Sequence, residues 1–163
     1  MIAYFPSPVG VLKISASPAG VHAIHFNNEF DEKEAGEGAE PLSQPLSQCV
    51  QQLSEYFNGT RREFDFPMSQ EGTPFQQSVW QELCLIPYGK TISYMQLSRR
   101  LGNEKAIRAV GTTNGKNKLA IVVPCHRVIG SDGSLTGYGG ELWRKKWLLE
   151  HEAKYASGVQ RLF

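Results

Sequence analysis

Polar and apolar positions alternate near the start of the chain. "GVLKISAS" and "GVHAIHF" each send every second side chain to one face, and "SPAG" between them has the composition of a turn. This pattern predicts an antiparallel hairpin. Residues 27–41, "NNEFDEKEAGEGAEP", are acidic, short of large apolar groups and without a period, which predicts a loop. The spacing then lengthens. Leu42, Leu46, Val50, Leu53 and Phe57 recur near the helical period, predicting a helix over "LSQCVQQLSEYF", and "NGTRREFDF" turns out of it into another short strand.

After the connector "PMSQEG", Thr73, Pro74 and Gln76 form a helix start: a side-chain cap, proline where the N–H would be unused, and a glutamine placed to answer the cap. The predicted helix covers "FQQSVWQELCLI", with Phe75, Val79, Leu83 and Ile86 on one face, and stops at "PYGK". Ser93 and Gln96 repeat the capping pair ahead of "YMQLSRRLG". Asn103 then caps a third helix, "EKAIRAVGTTNGKN". Two short helices joined by a glycine-containing turn make a helix-turn-helix pattern.

Charge sharpens that picture. The 163 residues carry a net charge of only +1, but residues 1–72 hold four basic against ten acidic groups and residues 73–163 thirteen against six. The division at 72/73 is therefore the expected domain boundary. The basic half has the footprint of a phosphate-binding surface, and Arg99, Arg100, Lys105, Arg108, Lys116 and Lys118 fall in or beside the two short helices. The second of them is unusual for a major-groove reader, because Ala106, Ala109, Gly111, Thr112 and Thr113 surround one long cation, Arg108. Small residues allow either a close approach to the minor groove, with Arg108 entering the base stack, or tight packing against a neighbouring helix. Both readings stay open on this segment.

Three cysteines, Cys49, Cys84 and Cys125, have neither framework spacing nor a C-x-x-C pair, so a disulfide scaffold or four-cysteine zinc site is not expected. A reducing, cytoplasmic setting fits, and no segment reads as a membrane span or secretion signal. His22 and His25 could gather round a metal with Cys49, but at spacings that match no metal signature. Cys49 and Cys84 read as helix packing.

Cys125 stands apart, in "IVVPCHRVIG". An apolar, β-branched run predicts a strand from Leu119, and Pro124 ends it in a fixed turn. A nucleophilic thiol needs a base or a cation nearby, and His126 and Arg127 supply both. Adjacent side chains seldom face each other, so proton transfer from Cys125 to His126 is expected through one water. Glu152, in "WLLEHEAKY", is a candidate carboxylate to orient the imidazole.

Taken with "GTPFQQSVWQEL", "IPYGKTISYMQL", "KAIRAVG", "YGG" and "WLLEHE", this stretch resembles the O6-alkylguanine-DNA alkyltransferases, over essentially all of residues 73–155 and more loosely over "SPVGVLKISASPAGV". The resemblance implies an α/β (α+β) architecture. Its N-terminal part would be a ribonuclease-H-like antiparallel sheet with a helix, and its C-terminal part a winged-helix-like domain carrying the cysteine. It also implies an irreversible, single-use methyltransferase that repairs DNA by moving a small alkyl group from O6-alkylguanine, and from O4-alkylthymine, onto Cys125. No cofactor is expected. The partner is double-stranded DNA bearing the lesion, and the protein is a monomer, with cooperative binding along DNA left open.

Residue by residue, the resemblance makes Cys125 the acceptor, His126 its base through water, and Glu152 the group that orients His126. Asn117 ties the helix-turn-helix to the active-site segment, Tyr94 rotates a phosphate and donates to the leaving guanine, and Lys145 supports the thiolate. Arg108 fills the gap left by a flipped nucleotide, among DNA-facing Ala109, Thr112 and Thr113. Tyr138, with Val128, Gly139 and Gly140, lines the base pocket. The sequence departs from familiar members at Gly139, at Ala120 and in "TTNG", and the zinc ligands of some members have no clear counterpart, so no metal is expected. Rival readings are a nonenzymatic damage sensor, whose relatives replace the cysteine, a redox-sensing helix-turn-helix regulator, and a cysteine hydrolase.

Overall fold

The computed structural model describes residues 1–27, 42–135, 138 and 141–156, and the chain divides into two compact units. The first comprises Met1–Glu71 with Lys118–Ala120, the second Gly72–Asn117 with Ile121–Phe163. Most of the acidic stretch 27–41 lies outside the described residues.

In the first unit, β1 (Ile2–Ser7), β2 (Gly10–Ser17) and β3 (Gly20–Phe26) form an antiparallel sheet in chain order. The predicted hairpin is β2–β3, with Ile14 opposite Ile24 and Lys13 opposite His25. Strand β1 was not legible, because "IAYFPS" shows no clean alternation. Its Phe5, Pro6 and Ser7 pair with Leu12, Val11 and Gly10. Leu12, Ile14 and Ala16 point to the buried face with Val21 and Ile24. Gly20, at φ 136°, has its open side against the Pro67 carbonyl, where a Cβ would meet the oxygen at 2.7 Å.

Helix α1 (Gln44–Phe57) buries Leu46, Cys49, Leu53 and Tyr56. That face is turned from the predicted one: Leu42 precedes the helix and is 43% exposed, while Val50 and Phe57 sit at its margin. The strand expected in "NGTRREFDF" does not form. The segment runs irregularly until Met68 bridges Val21, and Gln52 instead holds Asp65 through that residue's N–H and carboxylate. Residues 118–120 join this unit because the Ile24 N–H donates to the Lys118 carbonyl at 2.8 Å and Leu119 bridges Ile24. A single cut at 72/73 misses that return.

The second unit begins with α2 (Pro74–Leu83), whose Thr73–Gln76 capping box forms in both directions. Val79, Trp80 and Leu83 are buried, while Phe75, expected on the same face, is 37% exposed. Strand β4 (Ile92–Ser93) passes directly into α3 (Tyr94–Arg100), with Ser93 and Gln96 forming the second predicted box. A turn ending in the 3-10 segment Glu104–Ala106 leads to α4 (Ile107–Gly115). Asn103 does not cap this segment through its side chain. Helices α3 and α4 are the helix-turn-helix.

The strand predicted from Leu119 to Val123 is absent. Residues 120–122 turn, with Ile121 at φ 72°, and Cys125–Arg127 form a 3-10 turn that enters β5 (Val128–Ile129). The β-branched run reports burial, since Leu119 to Val128 are all at most 9% exposed, and an apolar run alone does not separate extended from turning backbone. Strand β5 pairs in parallel with β4, Ile92 opposite Val128. That pairing sets the start of α3 beside the cysteine turn, and α5 (Leu142–Ala156) supplies the remaining wall.

Candidate active site

Three consecutive side chains on the 3-10 turn, Cys125, His126 and Arg127, are buried at 7%, 0% and 5% exposure. With three residues per turn such side chains fan apart, and each finds a different environment. His126 Nε2 lies 2.7 Å from Glu152 Oε2 on α5. Because the carboxylate only accepts, Nε2 carries the hydrogen, and Nδ1 is left as a buried lone pair with no partner among the described residues.

Arg127 does not face the thiol as the sequence reading expected of a neighbouring cation. It grips the same carboxylate through Nε to Oε1 at 2.7 Å and Nη2 to Oε2 at 3.1 Å, donates from Nη1 to the Ile86 carbonyl at 2.7 Å, and lies over the Tyr88 ring. Burial on its own would raise the Glu152 carboxyl. The charge and hydrogen bond of His126, followed by those of Arg127, outweigh it and hold the group well below the usual carboxylate range.

Around the sulfur, Asn117 donates from Nδ2 to the Val123 carbonyl at 2.8 Å and to Cys125 Sγ at 3.4 Å. Asn114, on α4, donates to the Cys125 carbonyl at 3.3 Å. Lys145 is fully buried, with Nζ 2.6 Å from the Val128 carbonyl and 5.9 Å from the centre of the Tyr94 ring. Burial lowers its ammonium to about 8, against an opposing pull from Cys125. The Cys125 thiol is raised by burial, and the Asn117 bond, the Lys145 charge and two backbone N–H groups only partly offset this. At rest the sulfur therefore keeps its proton, and nucleophilic chemistry requires a base. Tyr94 and Tyr138 are both raised, by burial first and then by the charge of an ionised Cys125, so both remain phenols.

The sequence-predicted residues Cys125, His126, Glu152, Asn117, Lys145, Tyr94 and Tyr138 thus surround one buried thiol. Arg108, Ala109 and Thr112 are exposed along α4. Thr113, expected beside them, is 5% exposed, and its carbonyl accepts from Trp80 Nε1 at 3.3 Å, so it packs against α2 rather than facing outward. Val128 is also corrected. Its N–H donates to Cys125 and its carbonyl accepts from Lys145, so its backbone is already engaged rather than open to a base edge. Gly139 and Gly140 lie outside the described residues.

Two participants were missed. Arg127 was read as a cation for the thiol because the sequence cannot show that the turn aims it at Glu152. Asn114 was read only as part of a departure from small residues, and its asparagine character in a helix of small groups was the available signal.

The other cysteines differ from each other. Cys49 is fully buried in α1 and burial pushes its thiol up to about 12, which matches inert packing. Cys84 was also expected to pack, but it is the exposed C-cap of α2. His22 and His25 line a cavity of about 620 Å3 with Lys13, Lys118 and Glu71, and Cys49 is not among its walls. Among the described residues no cluster of three His, Cys, Asp or Glu side chains could hold a metal.

Comparison with known proteins covers both units. Residues 74–154 match the profile of the 6-O-methylguanine DNA methyltransferase DNA binding domain, and residues 1–70 that of the 6-O-methylguanine DNA methyltransferase ribonuclease-like domain. A constitutive methylated-DNA–protein-cysteine methyltransferase of Bacillus subtilis is 46% identical over 137 residues, 82% of this chain and 83% of that one. The Mycobacterium tuberculosis O6-methylguanine methyltransferase crystal structure superposes with a TM-score of 0.82 at 41% identity, covering 100% of this chain and 99% of the other. The M. tuberculosis protein in complex with DNA gives 0.83 at 40% identity, covering 99% and 98%.

Proposed function

The chain belongs to the 6-O-methylguanine DNA methyltransferase family, and from that premise we infer that it repairs DNA by transferring the methyl group of O6-methylguanine to its own Cys125. The observation that carries this reading is the buried thiol beside a His126–Glu152 pair whose Nδ1 has no partner among the described residues. Glu152 and Arg127 hold the imidazole with Nε2 protonated. Nδ1 is then the base that takes the Cys125 proton through one water. Asn117 and Lys145 stabilise the thiolate as it forms, so its charge develops against donors already in place.

The thiolate sulfur forms a bond to the alkyl carbon as the bond from that carbon to O6 breaks. Tyr94, a phenol beside the site, donates a hydrogen bond to the departing guanine, which finally takes up the proton that left the thiol. The product is a thioether with no easy hydrolytic exit, so each molecule acts once. No cofactor enters the balance, because the damaged DNA is the alkyl donor.

A base paired in a duplex cannot reach a thiol that is 7% exposed, so the nucleotide is flipped out. Exposed Arg108, Ala109 and Thr112 on α4 meet the DNA through the minor groove, with Arg108 occupying the vacated stack. O4-alkylthymine offers the same kind of carbon and is accepted as a second substrate. Tyr138 lines the pocket for the flipped base. No helix among the described residues is long and apolar enough to cross a membrane. We place the protein in the cytoplasm, acting on DNA as a monomer.

The test is intact-protein mass spectrometry after mixing with a short duplex containing one O6-methylguanine, followed by peptide mapping. One methylene mass on Cys125, saturating at one per chain, is expected. No adduct points to a sensor that binds without repair, and release of base beyond one equivalent points to a turnover enzyme.

A further inference from the structure

Asn114 sits on α4 at 1% exposure, in the only helix that runs from the DNA-facing surface at Arg108 to the cysteine turn among the described residues. Its carboxamide nitrogen donates to the Cys125 carbonyl, a group that can only accept, and this fixes which end of the amide faces the turn. Its side chain also hydrogen-bonds Tyr94, in the sense that stabilises a negative phenol oxygen, so Asn114 is the donor in that bond too. Both amide hydrogens are therefore spent inside the site. Its carboxamide oxygen, in contrast, has no partner among the described residues. A residue needed only to fill space would avoid burying that oxygen.

We propose that Asn114 is a positioning residue that turns the Tyr94 hydroxyl hydrogen towards the departing guanine while holding the Cys125 turn in place. A phenol oxygen that accepts from Asn114 keeps its own hydrogen for another acceptor. If Asn114 accepted instead, that hydrogen would be used within the protein. The Tyr94 ring is kept in place independently, by Lys145 on one side and by the absence of a side chain at Gly111, where a Cβ would lie 3.9 Å from Cδ1. The amide thus sets the direction of the hydroxyl rather than the location of the ring. This inference rests on the alkyl-transfer reading above.

A double-mutant cycle under single-turnover conditions tests it, using Asn114→Ala, Tyr94→Phe and the double variant on a duplex with one O6-methylguanine, and undamaged duplex for affinity. Asn114→Ala should slow transfer roughly tenfold, the worth of one oriented hydrogen bond, with undamaged-duplex affinity within about twofold of wild type. In the Tyr94→Phe background the same change should cost distinctly less, because no hydroxyl remains to be directed. Asn114→Asp, nearly isosteric, keeps the fold testable if the alanine variant is poorly folded. Its carboxylate accepts from Tyr94, so transfer should be slower than in wild type and recover as pH falls and the aspartate becomes a donor. Fully additive losses in the cycle, or an Asn114→Asp pH profile parallel to wild type, would overturn the proposal. Absence of any methyl transfer by the wild-type protein would instead remove the function on which it rests.

Discussion

Arg127→Met tests the ion cluster that holds the imidazole. Arg127 and Glu152 are 5% and 1% exposed and share two hydrogen bonds, and a third fixes Arg127 to the Ile86 carbonyl. Methionine replaces much of the volume but leaves the carboxylate with His126 alone. Removing one partner of a buried pair costs about 3–5 kcal/mol, because the other charge stays behind without compensation. In a chain of this size that corresponds to a fall in Tm of roughly 6–20 °C.

The sign of the pH dependence separates this mechanism from lost packing. In the wild type the Glu152 carboxyl is held below its ordinary value of 4.5. Its contribution is fully present above that value and is lost as pH falls towards the folded one. In the variant, burial is opposed by fewer partners, so the carboxyl rises and the folded state tolerates protonation more readily. The stability gap between the two proteins should therefore be widest near pH 7 and narrow below pH 4.5. Urea unfolding across that range reads it directly. Adding Glu152→Gln to Arg127→Met should recover part of the loss, since no buried charge is then left unpaired. A cost under about 1 kcal/mol, or a gap that stays constant with pH, would refute the reasoning.

Arg108→Ala should slow transfer from duplex DNA roughly tenfold or more, since opening a base step costs a few kcal/mol that the inserted side chain offsets. Reaction with free O6-alkylguanine base should be nearly unchanged, and equal losses on both substrates would exclude a stacking role. Native protein treated with iodoacetamide at pH 8 should be labelled at exposed Cys84 while Cys49, fully buried and pushed up to about 12, stays unmodified on the same timescale. Peptide mapping checks this, and comparable labelling of the two would contradict the burial of Cys49.

The parts of the fold legible in the sequence were those with local causes. Both capping boxes lie within four residues, and the β2–β3 hairpin follows from alternation and a turn. Strand β1 escaped because its pairing partners, Leu12 and Ile14 among them, supply the order that its own pattern lacks. The return of residues 118–120 to the first unit escaped for a similar reason: it depends on backbone bonds to Ile24, far away in the chain. The run from Leu119 to Val123 misled in the opposite direction. It is apolar because it is buried, and the positive φ at Ile121 that stops it from being a strand leaves no mark in an isoleucine.

The site divides along the same line. Cys125 and His126 announce themselves by chemistry, and resemblance supplies Glu152, Tyr94 and Lys145, but direction belongs to the backbone. On a 3-10 turn with three residues per turn, neighbouring side chains cannot share one target from one side. His126 and Arg127 reach Glu152 from different positions and occupy different edges of the carboxylate. That two-sided grip fixes which imidazole nitrogen is left for proton transfer. Arg127 consequently acts on the thiol through two intermediaries, Glu152 and His126, and a change at Arg127 should alter the pH profile of transfer as well as stability. A cation placed directly against the sulfur would instead have lowered the thiol itself, whereas Cys125 remains raised by burial. The site therefore holds a neutral thiol at rest and organises its base with buried charge, so that ionisation is coupled to the arrival of an alkyl carbon.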